Sequence, residues 1–238
     1  MVNEKESRIP FYYFLAGITG LLAGTFFGVF GSLQQAFPDY FWSLFPFYKS
    51  RPLHVTFVIA WIFFAAMGSI YYFLPRVLGK KLYSDKLAMA QFFLMFGSGV
   101  AIFISYLCGK FSGREYLDFL PVFSVPILAG WVLFIINFFA TLRSPSVPPV
   151  PFRDRPVYLW MWATGLILFF YTFCEAHLWL IPYFRNNIVR DVSVQWKAYG
   201  ALIGSWNMMV YGLSFVLMEK IQGKPGLARK PEIGRAHV

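Results

Sequence analysis

Six apolar runs, at residues 11–36, 52–75, 87–109, 121–142, 157–182 and 197–218, dictate what this chain can become. Each meets or exceeds the roughly 20 residues that an α-helix needs to cross the hydrocarbon core of a bilayer. Lipid offers no partner to a backbone N–H or C=O, so an apolar run inside it must close its own hydrogen bonds as a helix. The expected fold is therefore all-α, a polytopic membrane bundle of about six transmembrane helices. Residues 1–222 are expected to form one domain, and 223–238 a flexible basic tail. With 58% of the 238 residues hydrophobic and only 13% charged, a soluble enzyme is excluded, and the short loops leave no room for a sizeable soluble domain. The charged N-terminal stretch MVNEKESRIP has no cleavage site after the first run, which predicts that this run is retained as a helix.

The formal charge of +10 raises nucleic-acid binding as a possibility. The basic residues, however, sit at the ends of the apolar runs, where the bias of Lys and Arg toward cytoplasmic loops accounts for them, and no nucleic-acid partner is expected. Two thirds of the 21 Lys and Arg fall on the side holding both termini and the loops after helices two and four. The predicted topology is an integral protein of the cytoplasmic (inner) membrane with both termini cytoplasmic and the loops after helices one, three and five outside. Cys108 and Cys174 lie in apolar stretches without metal-binding spacing and read as buried thiols.

Histidine is scarce, and His237 sits in the tail. His54 follows 50-SRPL-53 and is predicted in the first turn of helix two, near the outer surface; His177, just before Pro182, is predicted near the outer end of helix five. An imidazole in lipid must find a hydrogen-bond partner or a metal, so both are candidate axial haem ligands, weighed against a plain bond to a backbone carbonyl. Arg51, three residues before His54 on the same helix face, is a candidate to hold a haem propionate by paired hydrogen bonds. Gly20, Gly24 and Gly28 recur every four residues on helix one and strip one face of side chains, which allows the close approach of either a neighbouring helix or a flat macrocycle. Glu115 and Asp118 in 113-GREYLDFLP-121 offer hard oxygen ligands suited to calcium, or form an ordinary solvated loop. Glu175 is a carboxylate just inside the boundary, expected to pair with His177 or to line a polar path. Trp160, Trp162 and Trp179 read as interfacial belt and core. No nucleophile elbow, Walker loop, HExxH or Rossmann glycine pattern is present.

The stretches 34-QQAFPDYF-41 and 51-RPLHVTFVIAWIFFAAMGSIYYFLPRVLG-79 resemble the first two helices of the catalytic subunit I of haem-copper oxidases, most closely the cbb-type cytochrome c oxidases and the nitric oxide reductase large subunit. The resemblance extends over residues 10–220. It implies that His54 ligates the low-spin haem b and that 113-GREYLDF-119 is the acidic loop whose carboxylates, Glu115 and less surely Asp118, lie around a calcium and the haem propionates. The segments 157-VYLWMWATG-165 and 194-VQWKAYG-200 look like the starts of the family's fifth and sixth helices. In the family, helix six supplies a histidine to the active-site metal. Here Tyr199 or Ala201 falls at that place, and the sequence stops after six helices where the family has about twelve, so no copper is expected from this chain alone.

The reading that follows is a haem-b-binding or haem-associated membrane subunit of a respiratory electron-transfer complex. It is not catalytic by itself, and its partners are membrane lipid and other subunits, among them a cytochrome c-type or second membrane subunit. His177, a methionine or another subunit would supply the second axial ligand. Two alternatives stand beside it: the N-terminal half of a split oxygen or nitric oxide reductase completed by a second chain, and a cofactor-free scaffold or assembly subunit.

Overall fold

In lipid the backbone polar groups have only one another, and the computed structural model, which describes residues 8–38, 45–143 and 155–223, answers with helices at all six apolar runs. They are α1 (Ile9–Ala36), α2 (Phe47–Leu78), α3 (Asp85–Leu107), α4 (Ser124–Arg143), α5 (Val157–Ala176) and α6 (Ile188–Gln222). Among the described residues there is no strand. One-turn elements at Pro121–Phe123, Leu178–Leu180 and Pro182–Arg185 lead into α4 and connect α5 to α6. Of the expected tail at 223–238, all but Gly223, His237 included, lies outside the described residues.

Two helices begin earlier than hydropathy predicts. α2 starts at Phe47 and carries Lys49, Arg51 and Pro52 in its opening turns. Lys49 is accommodated because its Nζ reaches the Leu107 carbonyl at 2.7 Å, satisfying an orphan acceptor at the end of α3. His54 is consequently the eighth residue of α2, about two turns or 10 Å from the helix start, and not in the first turn. α6 starts at Ile188, where the Asn187 side chain accepts from the Arg190 N–H at 3.1 Å and Asp191 sits favourably in the first turn. It ends at Gly223, whose φ of 64° is the left-handed cap conformation that glycine adopts without penalty. Cys108, the C-cap of α3, and Cys174 in α5 are exposed rather than buried.

The residues group into two compact units, 1–71 with 84–134, and 72–83 with 135–238. In the first, α1 lies against α2 along the glycine stripe. A Cβ on Gly17 would stand 3.3 Å from the Ala65 nitrogen, one on Gly20 3.3 Å from the Phe57 carbonyl oxygen, and one on Gly24 3.2 Å from the Val58 nitrogen. The side-chain-free face thus brings two backbones together, the helix-packing use of such a stripe. Around it lie the buried Tyr13, Met67, Ile70 and Trp131. Polar groups in this core are paired: Tyr13 donates to the Ala88 carbonyl at 2.9 Å, Tyr71 donates to the Gln91 side chain, and the Gln91 amide turns to the Met67 sulfur at 2.9 Å.

In the second unit α5 packs along α6. A Cβ on Gly165 would lie 2.7 Å from the Ser205 carbonyl oxygen, and one on Gly212 2.6 Å from Trp162 Nε1. Trp162 is wholly buried there and donates to the Met209 carbonyl at 3.2 Å, so it belongs to the core and not to the belt, whereas Trp160 is exposed.

Candidate functional site

The imidazole of His54 leans across the α1–α2 contact onto the stripe. Its Nδ1 lies 2.7 Å from the Gly24 carbonyl oxygen. A carbonyl can only accept, so Nδ1 is the donor, and in the neutral ring that tautomer leaves the lone pair on Nε2. Gly28 makes the pose possible: a Cβ there would sit 2.7 Å from Nδ1 and 2.8 Å from Cε1. Nε2 has no hydrogen-bond partner among the described residues, and the side chain is half-buried. A backbone carbonyl that fixes one ring nitrogen and leaves the other as a donor to a metal is the usual arrangement at metal-ligating histidines. The stripe glycines therefore divide the work: Gly20 receives the neighbouring helix, Gly24 supplies the carbonyl, and Gly28 clears room for the ring.

One turn before His54, Arg51 forms an ion pair with Glu115, 64 residues away. The loop between α3 and α4 presents this glutamate through a tight fold. Ser112 N–H donates to the Asp118 carbonyl at 2.7 Å, Ser112 Oγ to the Leu117 carbonyl at 3.0 Å, and Leu117 N–H to the Arg114 carbonyl at 3.1 Å. Gly113 takes φ 78°, and Tyr116 takes φ 65°, a left-handed conformation that an aromatic residue rarely adopts. Asp118 joins the group from the same loop. Its carboxyl is pushed up to about 6, chiefly by burial, with the Arg51 guanidinium pulling it down and the Glu115 carboxylate pushing it up. Arg51, Glu115 and Asp118 thus form one electrostatic cluster, with Arg51 engaged by Glu115. Among the described residues no group of three or more His, Cys, Asp or Glu side chains converges as a metal site. Glu115 and Asp118 would hold a calcium only with oxygens from elsewhere and in competition with Arg51.

An apolar cleft of about 210 Å³ between α1, α2 and α3, lined by Leu53, Phe57, Phe64, Phe103 and Tyr106, does not include His54. It is smaller than the roughly 300–1,000 Å³ of ordinary small-molecule pockets.

His177 caps α5 in the second unit. Its Nδ1 lies 2.7 Å from the Phe173 carbonyl oxygen of its own helix, and its ring centroid 4.7 Å from that of Phe173. Glu175 does not pair with it. Its carboxylate meets Lys197 Nζ of α6 at 2.8 Å, with the carboxylate side chain 12% exposed and the lysine 71%. No sequence pattern pointed to this partner, because the two residues lie on different helices at a spacing without a period. Tyr199 and Ala201 both lie in α6; Tyr199 is buried.

These features define a class: a helical integral membrane protein in which a histidine of an apolar, membrane-length helix is bonded to a backbone carbonyl of its neighbour, with an arginine–carboxylate pair one turn away. The chain belongs to the family Cytochrome C and Quinol oxidase polypeptide I, which it matches over residues 8–231. It is 24% identical over 226 residues to a nitric oxide reductase subunit of Stutzerimonas stutzeri, a match covering 89% of this chain and 45% of that protein. It is 29% identical over 198 residues to a cytochrome c oxidase subunit 1 homolog of Agrobacterium tumefaciens (strain T37), covering 78% of this chain and 33% of the relative. The chain thus spans less than half the length of either.

Proposed function

We propose that the chain binds haem b through Nε2 of His54 and serves as an electron-transferring membrane component of a respiratory complex. The observation that carries this reading is the Nδ1 contact to the Gly24 carbonyl, at 2.7 Å, in the space that Gly28 leaves open. That contact favours one tautomer and restrains the ring, which would lower the ordering needed to ligate a haem iron. Haem b, when bound, supplies one-electron redox chemistry; the protein's levers are the axial ligand and its hydrogen bond. Arg51 retains guanidinium donors beyond the one given to Glu115 and is placed one turn from His54 to receive a propionate. Glu115 holds that arginine with Asp118 beside it, and a calcium at these two carboxylates, completed by oxygens from elsewhere, belongs to the same proposal.

The second axial ligand and any substrate-reducing metal are assigned to segments or subunits beyond these helices. Tyr199 and Ala201 support that assignment, because neither brings an imidazole to α6. Both termini are proposed to face the cytoplasm, on the distribution of Lys and Arg. The test is a reduced-minus-oxidised optical spectrum of the purified protein with its native partners. A haem b signal that is lost in His54→Ala and kept in His177→Ala is the expected result. A spectrum unchanged by His54→Ala sinks the proposal and leaves a cofactor-free scaffold.

A further inference from the structure

At one end of the second unit, two chain segments are tied to the last turn of α4. The Tyr83 N–H donates to Thr141 Oγ1 at 3.0 Å, and Arg155 Nη2 donates to the Leu142 carbonyl at 3.0 Å. The two bonds gather Lys80, Lys81, Arg143 and Arg155 around the end of one helix, with Arg76 one turn back on α2. Lys81 and Arg143 are exposed, while Lys80 and Arg155 are half-buried. Lys80 and Arg155 are close enough to act on each other: burial pushes the Lys80 ammonium down from its ordinary range, and the Arg155 guanidinium pushes it the same way.

The carboxyl end of a helix carries about half a negative charge, which suits one cation and not this number. In sequence, residues 72–83 and 143–156 hold six cations, Arg76, Lys80, Lys81, Arg143, Arg153 and Arg155, against the single carboxylate of Asp154. The two segments together carry a net charge of +5. The cluster stands where the apolar runs of α2 and α4 stop, which is the depth of lipid headgroups. Aromatic rings flank it at that depth. Tyr83 is exposed, and the Arg76 guanidinium lies 3.6 Å from the centre of the Tyr72 ring.

We propose that this end of the second unit is a binding site for an anionic phospholipid, its phosphate held between Lys80 and Arg155 and its charge matched by Lys81 and Arg143. Basic recesses between transmembrane helices recognise such headgroups, and each cation near the surface is worth about a fivefold change in affinity. A bridging phosphate turns the Lys80–Arg155 repulsion into two charge-assisted contacts. Zwitterionic lipid presents the same phosphate with a compensating ammonium and is the weaker ligand.

The test is retention of phosphatidylglycerol against phosphatidylcholine by the purified protein, read by native mass spectrometry after reconstitution in nanodiscs of graded composition. Wild type is expected to retain phosphatidylglycerol preferentially. Lys80→Gln with Arg155→Gln should lower that retention about thirtyfold, while Lys80→Arg with Arg155→Lys, and Lys110→Gln with Arg114→Gln elsewhere, should not. Equal retention of the two lipids by wild type, or unchanged preference in the glutamine variant, overturns the site. If the glutamine variant does not fold, a salt titration of wild type decides: preference that falls with salt supports the site, and preference indifferent to salt overturns it. Preferential capture of an acidic soluble protein in place of lipid also overturns it.

Discussion

Replacing Gly28 by alanine separates the two things the glycine stripe does. Added there, a Cβ stands 2.7 Å from His54 Nδ1, so the ring must retreat from α1 by about 0.8 Å to reach ordinary contact. Such a retreat carries the 2.7 Å contact with the Gly24 carbonyl to or beyond the long limit of an N–H···O bond. Loss of the partner that orients a ligating imidazole typically lowers metal affinity by about 10–100-fold. The helix itself gains, because alanine inside a helix is favoured over glycine by roughly 0.5–1 kcal/mol. Gly28→Ala should therefore leave helix content and thermal stability equal or higher while haem content falls and the midpoint potential shifts. Gly97→Ala, at a position in α3 where a Cβ would meet nothing within 4 Å, should change neither haem content nor potential. Circular dichroism, pyridine haemochrome quantification and a redox titration on the three proteins are the measurements. Full haem content at the wild-type potential in Gly28→Ala would refute the assignment of that contact to ligand orientation.

Other outcomes follow from the same geometry. Gly212→Ala places a Cβ 2.6 Å from Trp162 Nε1 and should cost about 1–3 kcal/mol in unfolding from detergent, whereas Gly204→Ala, facing open space, should cost nothing. Asp118 keeps its proton in the folded protein at pH values where the unfolded chain has lost it, since burial moves its carboxyl from 3.8 to about 6. Stability should accordingly fall as pH rises between those values and level off above them, by clearly less than the full shift's about 3 kcal/mol because solvent screens the partly exposed carboxyl; Asp118→Asn should flatten that slope, and an unchanged slope would count against it. Lys197→Gln should destabilise more than Glu175→Gln, by about 1 kcal/mol or more in chemical unfolding, because the carboxylate it abandons is largely buried while the lysine can reach water.

The six helices were legible because lipid leaves a long apolar run one choice, and His54 was legible because a histidine in such a run is rare. The early start of α2 was not, since Lys49, Arg51 and Pro52 read as a break in hydropathy and only the distant Leu107 carbonyl shows how the lysine is satisfied. The start of α6 was missed for a similar reason, with Arg190 and Asp191 diluting the run although Asn187 is a good helix cap. The stripe on α1 announced close approach without naming the partner. It receives α2 along most of its length and an imidazole at its end. Gly165 and Gly212 carry contacts just as close, but Gly165 is alone on α5, and Gly200 and Gly204, which share a four-residue register with Gly212, meet nothing within 4 Å, so the spacing on α6 did not single out the contact. The Arg51–Glu115 and Glu175–Lys197 pairs join residues 64 and 22 positions apart, and such pairings become visible only once the helices are placed.

The length of α6 has a mechanical consequence. Its 35 residues make a rod of about 52 Å, against a hydrocarbon slab of about 30 Å, and an ordinary tilt near 20° shortens its vertical reach by only about 3 Å. Lys197 and Glu219 are separated by about 33 Å along that rod, close to the slab thickness. About 20 Å of the rod therefore exceeds the slab, and the Lys197–Glu175 pair ties α6 to α5 within three turns of its Ile188 end.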